Sequence, residues 1–143
     1  MAIFQTQTTS FREELLKGVH DLLVDTLKIA LYKSTASLGA DTTVYSVIDE
    51  ITGTGYVAGG KVLTNVSINK ANNVVYVDFD NVVWTPASFT AAGALIYNSS
   101  KANRSIAVLS FGADKSASST FTIQMPDNSF NSALLRLTNV DSG

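Results

Sequence analysis

The residues that could do chemistry in this chain are few and scattered. His20 is the only histidine among 143 residues, and cysteine is absent. A two-histidine metal site and thiolate chemistry are therefore excluded, and a Ser-His-Asp triad would need His20 as its base. His20 lies in Gly18-Val19-His20-Asp21, on or beside the apolar face of a predicted helix, where packing is the commoner use of an imidazole. Asp78 and Asp80 fall on one side of a strand if that strand continues, with backbones about 7 Å apart. This spacing suits a carboxylate pair or a calcium ion, yet Asp80-Asn81 also reads as the turn that leaves the strand. Trp84, in Trp-Thr-Pro, and Tyr97 are candidate sugar- or partner-binding aromatics, set against the usual use of such an indole as a core plug. The cluster Gly53, Gly55, Gly59, Gly60 lacks the lysine and the strand-then-helix setting of a phosphate loop, and reads as a turn-rich loop. No G-x-S-x-G elbow, Walker loop or dinucleotide fingerprint occurs. The expectation is a protein without a catalytic set, cofactor or metal site, and not an enzyme.

Composition bounds the alternatives. The apolar fraction of 45% is enough to bury a core for one domain over residues 1–143, with loose ends expected at 1–9 and 139–143. Charged residues make up only 15%, against roughly 25% in an ordinary soluble domain. Small hydroxyl and amide side chains take their place, and such a surface desolvates cheaply, which suits extensive protein contact. A net charge of −2 with no basic run argues against nucleic acid and anionic membranes as partners. The opening MAIFQTQTTS lacks the charged and apolar regions of a secretory signal, and no apolar run reaches membrane-span length. These features predict a protein held in the cytosol of its producing cell until assembly or lysis.

The elements that must position these residues read as one helix followed by strands. Ser10 to about Thr26 carries a capping-box pattern, Ser10 with Glu13, and places Phe11, Leu15, Val19, Leu22 and Leu23 on one face. Gly18 weakens its middle, as a close approach to a sheet would require. A second short helix over Thr42–Ile51, capped by Asp41, competes with strand propensity at Thr42, Thr43, Val44, Tyr45 and Val47. From Lys61 the period is two: Val62, Thr64, Val66 and Ile68 alternate with polar residues, Asn72-Asn73 makes a tight turn, and Val74–Phe79 returns. Further strands are expected at Phe89–Tyr97, Arg104–Phe111, Thr120–Met125 and Ala133–Thr138, with Ile106–Leu109 apolar on both faces like a central strand. Arg104 is expected at a solvated hairpin tip. Short strands at about ten-residue spacing predict an antiparallel β-sandwich or barrel with the N-terminal helix packed across it.

Three blocks carry a resemblance. Phe11 to Tyr32 (FREELLKGVHDLLVDTLKIALY), Ser37 to Tyr45 with Gly53-Thr54-Gly55-Tyr56 to Gly60, and Gly93 to Arg104 with Ala107-Val108-Leu109 and Phe111-Gly112 together look like a family of small bacteriophage virion structural proteins. The similarity spans most of residues 11–125, and Leu22-Leu23-Val24 departs from it by being more apolar. The resemblance implies a non-enzymatic virion component, assembled in the host cytoplasm, with a capsid cement or decoration protein ranked first. A tail, neck or fibre-associated component is the alternative, and a glycan-binding surface module a third. Its partners would be itself, as a homo-oligomer with a trimer favoured, and other virion proteins such as the major capsid protein. The charge-poor loops supply the candidate interface: Ser34, Ser37, Leu38, Asp41, Gly53, Thr54, Gly55, Tyr56, Gly59 and Gly60.

Overall fold

The computed structural model describes residues 3–125 and 135–138. In chain order its elements are β1 (Thr6–Gln7), α1 (Thr9–Leu16), β2 (Leu27–Tyr32), β3 (Lys61–Val62), β4 (Ser67–Ala71), β5 (Val74–Asp78), β6 (Val82–Trp84), β7 (Phe89–Asn98), β8 (Arg104–Ala117), β9 (Phe121–Ile123) and β10 (Leu135–Thr138). Every strand pair is antiparallel. A five-stranded sheet, β1-β8-β7-β2-β3, is accompanied by a three-stranded sheet, β10-β5-β4, and a two-stranded one, β6-β9. The protein is mainly β, with a sandwich-like arrangement and one short N-terminal helix.

The pattern of β2 and β7 explains the layering. Leu27, Ile29 and Leu31 of β2, with Ala94 and Ile96 of β7, enter a large core shared with Val77, Phe79, Trp84, Phe121 and Leu135 from the two smaller sheets. Ala30 and Tyr32, alternating with them, join Leu95, Tyr97 and Val108 in a second apolar cluster on the opposite face. Strands buried on both faces lose their polar–apolar alternation, which is why LKIALY and ALIY read as continuous apolar runs. Among the described residues no strand of the two smaller sheets joins this second cluster. The first part of the excursion between β2 and β3 packs on it through Ala36, Leu38 and Tyr45, while Ile51 and Tyr56 further along join the main core.

The helix is shorter than the sequence predicts, for a legible reason. Its N-cap is Thr8, whose hydroxyl accepts from the Phe11 N–H at 3.2 Å. Ser10 lies inside the first turn, its hydroxyl directed at the Thr42 carbonyl and Ser105. Glu13 makes no return bond to a cap and instead pairs with Lys17 on the exposed side. At the other end the Gly18 N–H reaches the Leu15 carbonyl and the Val19 N–H the Glu14 carbonyl, with Gly18 at φ +73°. That is the Schellman arrangement, with glycine at the left-handed position after the cap. Gly18 ends the helix instead of weakening it. Phe11 and Leu22 still reach the main core, Leu22 from the irregular segment beyond the helix.

The hairpin at Asn72-Asn73 stands as expected, both asparagines at positive φ (52° and 65°) between β4 and β5, the geometry of a type I′ turn. The single strand expected from Lys61 to Asn69 is divided at Asn65, φ +52°, and Leu63, not Val62, is its buried residue. The later strands occupy their expected places, with β8 running on to Ala117 past a bulge opposite Ala92. Ala133, the first residue of the last expected strand, and the tail 139–143 lie outside the described residues. The N-terminal end is not loose over residues 3–9: Thr6 and Gln7 pair with Val108 and Ala107, and Ile3 bridges Leu38. The helix expected over Thr42–Ile51 is absent. That stretch is an irregular strap, joined by single bridges from Val44 to Arg104 and from Glu50 to Tyr32.

Candidate interaction surface

The strap and the glycine loop are organised around one carboxylate. Glu50 is buried, and its Oε1 accepts from the Tyr45 hydroxyl at 2.6 Å. Its Oε2 accepts from the Tyr56 hydroxyl and from the Gly59 N–H at 2.8 Å. Tyr56 oxygen in turn accepts from the Leu31 N–H of β2 at 3.0 Å. Tyr45 stacks on Tyr97 with ring centroids 4.6 Å apart, and the Tyr97 hydroxyl donates to the Gly59 carbonyl at 2.7 Å. Burial, with the Glu50 charge second, pushes the Tyr97 hydroxyl up to about 12. Burial and the hydrogen bonds to Glu50 raise Tyr45 and Tyr56 further. All these phenols therefore remain donors at ordinary pH, as the carboxylate requires. The node sews the strap, the glycine loop and the central strands into one surface.

This geometry sorts the predicted interface residues. Leu38 is buried in the second cluster, Tyr56 is committed to Glu50 and Leu31, Gly59 is buried with its N–H on Glu50, and Gly60 lies against the Ile29 backbone. Leu38 and Gly59 are buried within their own domain, a correction to their place in the expected interface, while Tyr56 and Gly60 are half-buried beside them. Gly53 and Gly55 lie against the backbone of Ser88 and Pro86, and Thr54 bridges Ser88. Ser34, Ser37, Asp41 and Thr54 are exposed. They do not converge. Ser37 and Asp41 line a hollow of about 480 Å³ with Phe4, Ser34 faces Asp114 and Ala92, and Thr54 stands beside β7.

The residues singled out for chemistry are also placed. Trp84 is buried among Tyr56, Phe89 and Phe121, a core plug, and Tyr97 is buried under Tyr45, so neither ring is a platform for a sugar. Asp80 accepts from Asn65 Nδ2 at 2.5 Å beside the divided strand. Asp78 pairs in register with Ser67, one of its oxygens buried without a partner. Among the described residues no three His, Asp or Glu side chains are placed to hold a metal ion, and no helix is long and apolar enough to cross a membrane.

His20 is buried at the head of a polar chain. Its Nε2 meets Glu14 Oε1 at 2.9 Å, its Nδ1 accepts from Asn98 Nδ2 at 3.0 Å, and its ring packs on Phe11. Asn98 also donates to Asp25, which takes both carboxylate bonds from Lys101 at 2.9 Å. Arg104 opens β8 with its Nε 3.9 Å from Glu14, half-exposed and not a free hairpin tip. The chain fastens the segment after α1 to the β7–β8 turn. Burial works against the charge on Asp25, but the bonds from Lys101, Asn98 and the Asp21 backbone outweigh it and hold its carboxyl at about 2. A carboxyl whose pKa falls on folding stabilises the protein above its unfolded value and loses that contribution as pH drops through the folded value. The expected result is a loss of about 2 kcal/mol between about pH 4 and pH 2 from this group. Urea midpoints across that range should show it, and Asp25→Asn should be less stable at neutral pH and flatter in acid.

Sequence reasoning passed over Glu50, because a single carboxylate has no spacing signature. A helix over Thr42–Ile51 would place Val44, Ile48 and Ile51 on one face. Ile51 is buried, but Val44, Val47 and Ile48 point outward. No family model, curated protein or solved structure matches the chain.

Proposed function

We propose that this chain is a non-enzymatic bacteriophage virion structural protein, bound to the capsid as a cement or decoration subunit that stabilises the shell through protein contacts. One observation carries the reading beyond the resemblance. Among the described residues eight large apolar side chains, Leu16, Leu23, Val24, Val47, Ile48 and Val57 included, are more than half exposed on a chain with 15% charged residues. Isolated exposed aliphatics are ordinary, but this number on a charge-poor surface fits a protein that works in an assembled state. The interior supports the same reading: polar groups such as Glu50 and His20 are spent on fastening loops to the sheet, which gives a rigid body to place on a shell.

The test is a mass-resolved protein census of purified particles from the phage that encodes the chain. Copies in the hundreds per particle support the cement reading, copies in the tens or fewer move the protein to neck, tail or fibre, and absence from particles sinks the virion reading. Within particles, the double variant Ser37→Lys, Thr54→Lys is expected to lower occupancy, because a charge buried at an interface without a partner is costly. Unchanged occupancy would move the shell contact away from both loops.

A further inference from the structure

Among the described residues, two features of the surface complement one another. The first is a groove of about 660 Å³ between the distal half of β8 and β9, floored by Leu109, Phe111, Phe121 and Ile123, with Lys115 as its one charged lining residue. Among the described residues β9 pairs with β6 alone, and side chains from both faces of β9 line the groove. The second is a ridge on the strap, where Val44, Val47 and Ile48 are 48%, 64% and 73% exposed, followed by the half-buried Asp49, whose Oδ1 accepts from the Thr35 hydroxyl at 3.0 Å. The ridge is held from beneath: the Tyr45 N–H donates to the Asn103 carbonyl at 2.9 Å and the Tyr32 hydroxyl to the Ser46 carbonyl at 2.6 Å. An apolar ridge already ordered before contact loses little entropy on docking.

We infer that the Val44-Val47-Ile48 ridge of one copy docks into the β8–β9 groove of the next, head to tail, with Asp49 directed at Lys115. This rests on the self-assembling part of the reading above and names its surface. The ridge of a copy does not reach that copy's own groove. Val44 bridges Arg104, the first residue of β8, and Lys115, paired with Ala91 where Arg104 pairs with Asn98, stands seven residues of β7 further along, about 23 Å at the strand rise. The two features also face opposite ways, since Tyr45 belongs to the second cluster while Phe111 and Phe121 pack with the main core. Two different patches that complement each other make a heterologous contact, which closes into a ring when the rotation between copies permits. The single acid on the ridge and the single base at the groove set direction and register more than affinity.

Sedimentation velocity of the purified full chain tests this, using Ile48→Arg to spoil the ridge and Thr122→Arg to obstruct the groove. Both positions are exposed, and thermal unfolding at the parent temperature checks that each variant folds. Val47→Arg and Gln124→Arg replace either one that does not. The unsubstituted chain should form oligomers, and each variant alone should sediment as a monomer. An equimolar mixture should stop at dimers, because one variant retains a groove and the other a ridge. A monomeric unsubstituted chain, variants that oligomerise like it, or a mixture that stays monomeric overturns the inference. A monomer that nevertheless coats purified shells sinks this contact and leaves the virion reading standing. Ridge-and-groove oligomers with no affinity for shells do the reverse.

Discussion

Replacing Gly60 by alanine is expected to cost about 3–4 kcal/mol, adding a left-handed-backbone penalty to an overpacking one. Gly60 sits at φ +81°, and a Cβ there would stand 1.7 Å from the Ile29 carbonyl oxygen and 2.6 Å from its carbon. Both neighbours are backbone of β2, a strand bonded to β3 on one side and β7 on the other, so neither can retreat without opening a ladder. The clash also displaces Gly59, whose N–H serves Glu50. Thermal or urea unfolding of Gly60→Ala should therefore show a large drop. Gly112→Ala makes the control, because no atom lies within 4 Å of its added Cβ although its φ is also positive, +80°. The control should lose about 1 kcal/mol, the share due to the left-handed backbone alone. Equal losses in the two variants would mean that the approach to Ile29 is not tight.

Gly60 also shows where the sequence was legible and where it was not. Four glycines within eight residues read as a turn-rich loop. Whether they served an external contact or an internal one depends on Ile29 and Glu50, which lie in other segments, and no local pattern reports that. The long central strands and the Asn72-Asn73 hairpin could be read directly, because unbroken apolar runs and paired asparagines are local consequences of burial on two faces and of positive φ. The helix misled for an equally physical reason. Leu15, Val19 and Leu22 keep helical spacing across Gly18, and the glycine suits either a tight approach or a C-terminal cap. Only the bonds to the Glu14 and Leu15 carbonyls decide. The strap misled because its order comes from tertiary bonds of Tyr32, Tyr45 and Glu50, so its outward valines and isoleucine mimic the face of a helix. β1 is two residues long and has no periodicity at all.

Removing the Glu50 carboxylate is the second large effect. Glu50→Ala leaves the Tyr45 hydroxyl, the Tyr56 hydroxyl and the Gly59 N–H without their acceptor in a site where burial holds both phenols protonated. Orphaned buried donors and lost bonds to a charged group should together cost about 3–5 kcal/mol. Glu50→Gln keeps one acceptor oxygen but turns an amide toward a donor, so its loss should fall near half of alanine's. Glu50→Gln keeps the volume and one acceptor, so comparable losses in both would mean that the second acceptor oxygen and its charge are what the node needs. Tyr45→Phe removes one donor and leaves the stack on Tyr97 intact, so it should be milder than either. The cycle combining Glu50→Gln with Tyr45→Phe should give a coupling of about 1 kcal/mol, because the two groups share one hydrogen bond. The strap that Glu50 fastens also carries Val44, Val47 and Ile48. If that ridge is the contact between copies, Glu50→Gln should weaken oligomerisation even where the variant remains folded, because docking would then have to order the strap first. Sedimentation of Glu50→Gln beside its urea midpoint would read both effects on the same sample. Full oligomerisation by a destabilised Glu50→Gln chain would show that the contact does not depend on an ordered strap.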